Sequence, residues 1–120
     1  MKDYRLGAVE ARFAELIWKY EPISSGELVK LCAKELEWKK STTYTVLRKL
    51  CERGIFKNED ACVCSLVSKE EFYSLQSEQY VNENFEGSLP AFLAAFTSRQ
   101  KLSRKEVEEI QNMINSYKGE

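Results

Sequence analysis

The segment from Trp38 to Gly54, Trp-Lys-Lys-Ser-Thr-Thr-Tyr-Thr-Val-Leu-Arg-Lys-Leu-Cys-Glu-Arg-Gly, constrains the fold most, because it can satisfy its apolar side chains only as a helix laid against a core. At helical spacing Thr43, Val46, Leu47 and Leu50 share one side, Ser41, Thr45, Arg48 and Glu52 share the other, and Tyr44 and Lys49 flank them. From Trp38 to Lys57 six Lys or Arg stand against the single Glu52, a local formal charge of +5 in a chain whose total is −1. One face packs and the other is free to touch a partner. Hydroxyls and a guanidinium on a rigid helix suit DNA, since Arg can grip a guanine edge with two hydrogen bonds and hydroxyls donate or accept. The candidate DNA contacts are Lys39, Lys40, Ser41, Thr42, Tyr44, Thr45, Arg48 and Lys49. A solvated amphipathic surface helix would show the same pattern, so the context has to decide.

That context is a fixed order of elements. Val9, Phe13, Leu16, Ile17 and Tyr20 predict a first helix over residues 8 to 20, broken at Glu21-Pro22. Ser24 and Glu27 form a capping box that opens a second helix over residues 25 to 36, with Leu28, Leu31, Cys32 and Leu36 on its inner face. The third helix begins near Ser41 and stops at Gly54, the residue type that most readily takes the left-handed closing conformation. Two short strands then flank the polar turn Asn58-Glu59-Asp60-Ala61. Three helices followed by a hairpin is the order of a winged helix-turn-helix, which puts its third helix in the DNA major groove. Trp18 and Trp38 are large enough to anchor the packing between these helices.

Beyond residue 67 the chain changes character. Ser68 with Glu71 opens a helix carrying Phe72, Leu75 and Tyr80, Gly87-Ser88-Leu89-Pro90 interrupts it, and a short apolar helix follows with Leu89, Phe92, Leu93 and Phe96. Ser103 with Glu106 opens the last helix, whose Val107, Ile110, Ile114 and Tyr117 make a narrow stripe suited to a helix partner. Three helices of this size bury too little surface alone, so dimerisation is the economical solution. The expectation is a mainly α fold with a small β-hairpin: a winged helix-turn-helix DNA-binding domain over residues 1–67 and a three-helix dimerisation region over 68–120. The dimer contacts expected are Phe72, Leu75, Leu89, Phe92, Leu93, Phe96, Val107, Ile110, Ile114 and Tyr117.

Other functions lose their candidates. The 120 residues contain no histidine, which removes the usual general base, the usual transition-metal ligand and every Ser-His or Cys-His pair. Neither a stand-out carboxylate pair nor a phosphate-cradling glycine loop is present, so the expectation is no enzyme and no cofactor. Charged residues occupy the first twenty positions and no apolar run approaches a membrane span, which predicts a cytoplasmic protein without membrane insertion and with reduced cysteines.

The chain also resembles the penicillinase-repressor type of winged-helix regulators, which includes methicillin-resistance and copper-responsive repressors. The resemblance spans nearly the whole chain and is carried by Ala-Glu-Leu-Ile-Trp at 14–18, the Trp38 to Gly54 block, Ser-Leu-Val at 65–67 leading into Lys-Glu-Glu-Phe, Glu-Gly-Ser-Leu at 86–89, and the stretch from Lys101 to Ile110. It implies a homodimeric repressor on a palindromic double-stranded DNA operator, with dimer contacts in the C-terminal helices. It also implies a regulatory protease that relieves repression by cutting the short C-terminal helix, at the bond aligning with Ala95–Phe96. Two departures stand out: the wing is short and acidic, and Ala95 stands where the well-known repressors have Asn.

Two alternatives belong to other classes. A winged helix can dock a protein instead of DNA, with the acidic wing and basic helix meeting a partner. Cys62 and Cys64, two apart on a strand, share a face and could serve a thiol- or metal-responsive regulator, although packing in the hairpin is the simpler role and no metal site is assigned. The copper-responsive relatives carry a pair of Cys-x-Cys motifs near the C-terminus, whereas this chain has one such pair. Cys32 and Cys51 read as packing residues.

Overall fold

A computed structural model describes residues 3–117. It is mainly helical with one small antiparallel sheet, in the order α1 (Ala8–Tyr20), β1 (Ile23–Ser24), α2 (Ser25–Leu36), α3 (Lys40–Glu52), β2 (Phe56–Glu59), β3 (Cys62–Ser65), α4 (Lys69–Phe85), α5 (Leu89–Thr97) and α6 (Arg104–Ser116). This is the winged-helix arrangement followed by helices. The chain divides into two compact units, Met1–Gln79 and Tyr80–Glu120, so that the division falls inside α4.

The core of the first unit draws on every element in it except β1: Phe13, Ala14 and Ile17 of α1, Leu28 and Cys32 of α2, Leu47 and Leu50 of α3, Ile55, Phe56 and Val63 of the wing, and Phe72 of α4. Both tryptophans anchor it. Trp18 lies 5.4 Å from the Phe56 ring, 5.5 Å from Phe72 and 5.8 Å from Tyr73, and its indole N–H donates to the Val67 carbonyl at 3.0 Å. Trp38 stacks on Phe13 at 5.3 Å. The α1–α4 junction adds a polar rim, where Glu15 accepts from Lys69 at 2.8 Å and from the Tyr73 hydroxyl at 2.9 Å. The Lys69 bond, more than any other group, holds the Glu15 carboxyl below its ordinary value. Val9 and Tyr20 lie half exposed, because the apolar stripe of α1 runs past both ends of the core.

The sheet differs from the expected two-stranded hairpin. Ile23 and Ser24 pair with Val63 and Cys62, giving three strands in the order β1-β3-β2. A two-residue strand is too short to carry an alternating pattern, so nothing in the sequence announces it. Glu21 reinforces the attachment by accepting from the Ser65 amide at 2.7 Å and from the Ser65 hydroxyl at 3.1 Å. The turn is also tighter than expected. Glu59 pairs with Cys62, so Asn58 and Glu59 belong to β2 and only Asp60 and Ala61 turn, both at positive φ (52° and 61°). A two-residue loop with both φ positive matches the twist of the strands it joins, but it puts the Ala61 Cβ in the left-handed region.

The second unit keeps its helices and caps but has little interior. Ser88 caps α5 by accepting from Ala91 N–H at 3.1 Å, and Pro90 sits in the first turn of that helix instead of ending the chain's helical run. Ser103 and Glu106 form a complete capping box on α6. Tyr80, Phe85, Phe92 and Phe96 make a chain of ring contacts 5.6 to 6.3 Å apart. Among the described residues from 80 to 117, none is buried.

Ala61→Gly should raise stability by about 0.5–1 kcal/mol, since the Cβ penalty that glycine avoids at positive φ exceeds glycine's own entropy cost. Denaturant midpoints of the two proteins measure this. A lower midpoint for the glycine variant would mean that the turn is not strained.

Candidate nucleic-acid interface

The hydrophobic underside of α3 decides which of its residues face out. Thr43, Leu47 and Leu50 are buried in the core, and the Thr43 hydroxyl spends its proton on the Lys39 carbonyl at 3.2 Å. The helix closes in a left-handed turn at Gly54 (φ 81°), where the Gly54 N–H bonds the Cys51 carbonyl at 2.9 Å and the Ile55 N–H bonds the Leu50 carbonyl at 3.1 Å. That pair of bonds, with Ile55 and Leu50 both buried, is the Schellman closure. At the other end Glu37 takes a left-handed conformation (φ 57°) and turns the chain from α2 into α3 within three residues.

This leaves Ser41, Thr42, Thr45, Arg48 and Lys49 exposed along α3, with Lys39 and Lys40 at its start. Thr45 donates to the Ser41 carbonyl at 2.9 Å, so its oxygen is left as an acceptor and its methyl as an apolar contact, both useful against base edges. The helix N-terminus is unusual. Lys39 provides no side-chain cap, the first turn contains no acidic residue, and the first backbone bond runs from Thr43 N–H to the Lys39 carbonyl at 3.1 Å. Lysines there are disfavoured by the helix dipole, whereas a phosphate would be favoured by both the dipole and the uncapped amides.

The basic residues of the segment divide by what they touch. Lys49 turns toward α1 and pairs with Glu10 at 3.7 Å, Lys57 pairs with Glu59 across 3.4 Å, and Arg53 donates to the backbone carbonyls of Asp3 and Arg5. Lys39, Lys40 and Arg48 have no ion pair among the described residues. Tyr44 is half-buried and its hydroxyl donates to the Ser25 hydroxyl at 3.1 Å, tying α3 to the first turn of α2. Arg48 borders a groove with Tyr44, Leu47, Cys51 and Asn58, so the wing strand β2 stands beside the outward face of α3. Asn58 was not among the sequence candidates, because its place beside Arg48 depends on how the hairpin folds over α3. The wing tip, Glu59-Asp60-Ala61, is exposed and acidic, which opposes contact with phosphate.

The remaining candidates separate too. Phe72 is fully buried in the first unit's own core and has no surface to offer a partner, which corrects its reading as a dimer contact. Leu75, Phe92, Leu93 and Ile110 are half-buried, whereas Leu89, Phe96, Val107, Ile114 and Tyr117 are exposed. Ala95 and Phe96 are both exposed on α5. Cys62 is exposed and Cys64 half-buried, so Cys62 is not the packed residue that its small size suggested. No group of three or more His, Cys, Asp or Glu among the described residues could hold a metal ion, which leaves the two wing thiols without further ligands. Cys32 and Cys51 do pack, and burial pushes both thiols up from their ordinary values, aided at Cys51 by the Glu52 charge. Among the described residues no helix is long and apolar enough to cross a membrane.

The family model described as penicillinase repressor matches residues 6–116. A methicillin resistance regulatory protein MecI from Staphylococcus aureus is 24% identical over 118 residues, covering 95% of this chain and 96% of the relative. A MecI from Mammaliicoccus sciuri is 23% identical over the same coverage, and a penicillinase repressor from Bacillus licheniformis is 20% identical over 96% of this chain and 93% of its own length.

Tyr44→Phe should destabilise the protein by about 0.5–1.5 kcal/mol, because the Ser25 hydroxyl loses its partner in a largely water-free position. Thermal or denaturant unfolding measures it. Unchanged stability would mean that water replaces the bond at no cost.

Proposed function

The chain belongs to the penicillinase repressor family of transcriptional repressors, and we propose that it acts as a homodimer on an inverted-repeat operator, one α3 entering the major groove of each half-site. The observation that carries the proposal is the division of charge on the basic segment. Among the described residues of this segment, Lys39, Lys40 and Arg48 are the cations without an ion pair or a side-chain hydrogen bond, and they lie at the uncapped start and on the outward face of one helix. Lys39 and Lys40, with the first-turn amides, hold phosphate, while Arg48, Thr45, Ser41 and Thr42 read base edges. Lys49 joins them only by giving up Glu10, and Tyr44 contributes its ring edge while its hydroxyl stays on Ser25. A winged helix used for docking a protein would not need bare amides beside unpaired lysines. The DNA-binding domain ends where the winged helix ends, and the helices after it form the dimerisation region.

The dimer is supported by what the second unit leaves uncovered. Tyr80, Leu89, Phe96, Val107, Met113, Ile114 and Tyr117 are each about half exposed or more, rising to 78% at Tyr117, in a unit none of whose described residues is buried. So much exposed apolar side chain on so small a unit is stable only when covered, and a second copy covers it with the same stripe. Relief of repression is a cut at Ala95–Phe96, as in the family's resistance repressors. Both residues are exposed, and a nine-residue helix with no buried side chain opens locally at small cost.

Selection of bound sites from random DNA tests the core of the proposal and should return an inverted repeat with half-sites one or two helical turns apart. On the selected site Arg48→Ala should lose about 1–3 kcal/mol and relax the base preference at one position, while Lys39→Ala should weaken all DNA alike. Equal losses on selected and random DNA for both variants would reduce Arg48 to a phosphate contact. Val107→Glu combined with Ile114→Glu should shift the full chain to monomer in sedimentation and cost roughly a hundredfold in operator affinity, the scale of lost avidity. A variant that stays dimeric would place the interface elsewhere. For relief, mass spectrometry of protein recovered from induced cells should show fragments ending at Ala95 and beginning at Phe96. Intact chain released from its operator would overturn the cut.

A further inference from the structure

The N-terminal arm, residues 3 to 5, is bonded to two elements at once. On one side the Arg53 guanidinium donates to the carbonyls of Asp3 and Arg5. On the other, the Gln76 side-chain amide donates to the Tyr4 carbonyl at 2.8 Å, and the Tyr4 N–H donates to the Gln79 side-chain oxygen at 2.8 Å. Carbonyls 3 and 5 thus face one way and carbonyl 4 the other, the alternation of an extended chain. The Tyr4 ring holds the arm down by meeting Phe72 edge-on at 5.8 Å. The Asp3 carboxylate stiffens it from within by accepting from the Arg5 amide and guanidinium, both at 3.0 Å.

The two elements so joined are the ones that matter for operator geometry. Arg53 is the residue that ends α3, directly after Glu52, and Gln76 and Gln79 lie one helical turn apart on α4. α4 carries the chain from the first compact unit into the second. We propose that Arg53, Gln76 and Gln79 are positioning residues: through the arm they fix the recognition helix against α4, and thereby set the half-site spacing that the dimer accepts. This inference rests on the homodimeric, inverted-repeat reading above. Three backbone carbonyls have no slack, so any shift of α3 along α4 breaks one set of bonds or the other. None of the three side chains needs to touch DNA for the effect.

The test uses the full chain and the operator selected by the wild-type protein, with one or two base pairs inserted or removed between the half-sites. Wild type should bind the shifted sites much more weakly than the selected one. Arg53→Ala, and separately Gln76→Ala with Gln79→Ala, should reduce that penalty by roughly two- to thirtyfold, the span covered by coupling through positioning residues. Loss of stability alone would weaken every spacing equally and leave the ratio unchanged. The double glutamine variant leaves Arg53 in place, so it carries the test if Arg53→Ala does not fold. Folded variants that keep the wild-type spacing penalty would overturn the inference. Failure of the wild-type protein to select any inverted repeat would instead overturn the reading on which it rests.

Discussion

The outward face of α3 depends on how firmly its inward face is held. Leu47 and Leu50 are both buried, and truncation of such leucines generally costs about 2–5 kcal/mol each. The closure at Gly54 then returns the chain so that Ile55 and Phe56 enter the same core one turn later. Rotation of α3 by one residue would expose a leucine and bury a charged or hydroxylic side chain. The packing under the helix therefore decides that Ser41, Thr45 and Arg48 point away from the protein. Trp18 extends this rigidity, since one indole contacts Phe56 of the wing and Phe72 and Tyr73 of α4.

Electrostatics adds a choice that hydrophobicity cannot make. A run of six basic residues looks uniform in the sequence, but folding assigns half of them to the protein itself. Glu10, Glu59 and the arm carbonyls take Lys49, Lys57 and Arg53. The two ion pairs contribute little stability, about 0–1 kcal/mol each, and their larger effect is to offset the charge of Lys49 and Lys57, while Arg53 is held in place by its bonds to the arm. With the wing acidic, the exposed positive charge of this segment is concentrated on α3.

The second unit follows a different logic. Its caps are well formed, and the α6 capping box is complete, so local signals suffice to make its helices. They do not suffice to bury them. Each helix keeps an apolar stripe on its surface, and the stability of the unit is tied to whatever covers that stripe. An element held by so little internal packing opens locally at small cost.

Local patterns determined much of this protein in advance: the three helices before Gly54, the stop at that glycine, the hairpin after it and the serine caps at Ser24, Ser68 and Ser103 are all readable, because each depends on residues within a turn of one another. The outward set on α3 was readable for the same reason. Tertiary structure alone decided the rest. β1 exists only because β3 passes beside Ile23 and Ser24, and the hairpin turn narrows to Asp60-Ala61 because strand register extends β2. Phe72 looked like the start of a dimer stripe and became core, since helical periodicity gives a side chain's face but not the neighbour that face will meet. Arg53 and the arm, or Lys49 and Glu10, lie tens of residues apart in sequence, and nothing short of the fold could bring them together.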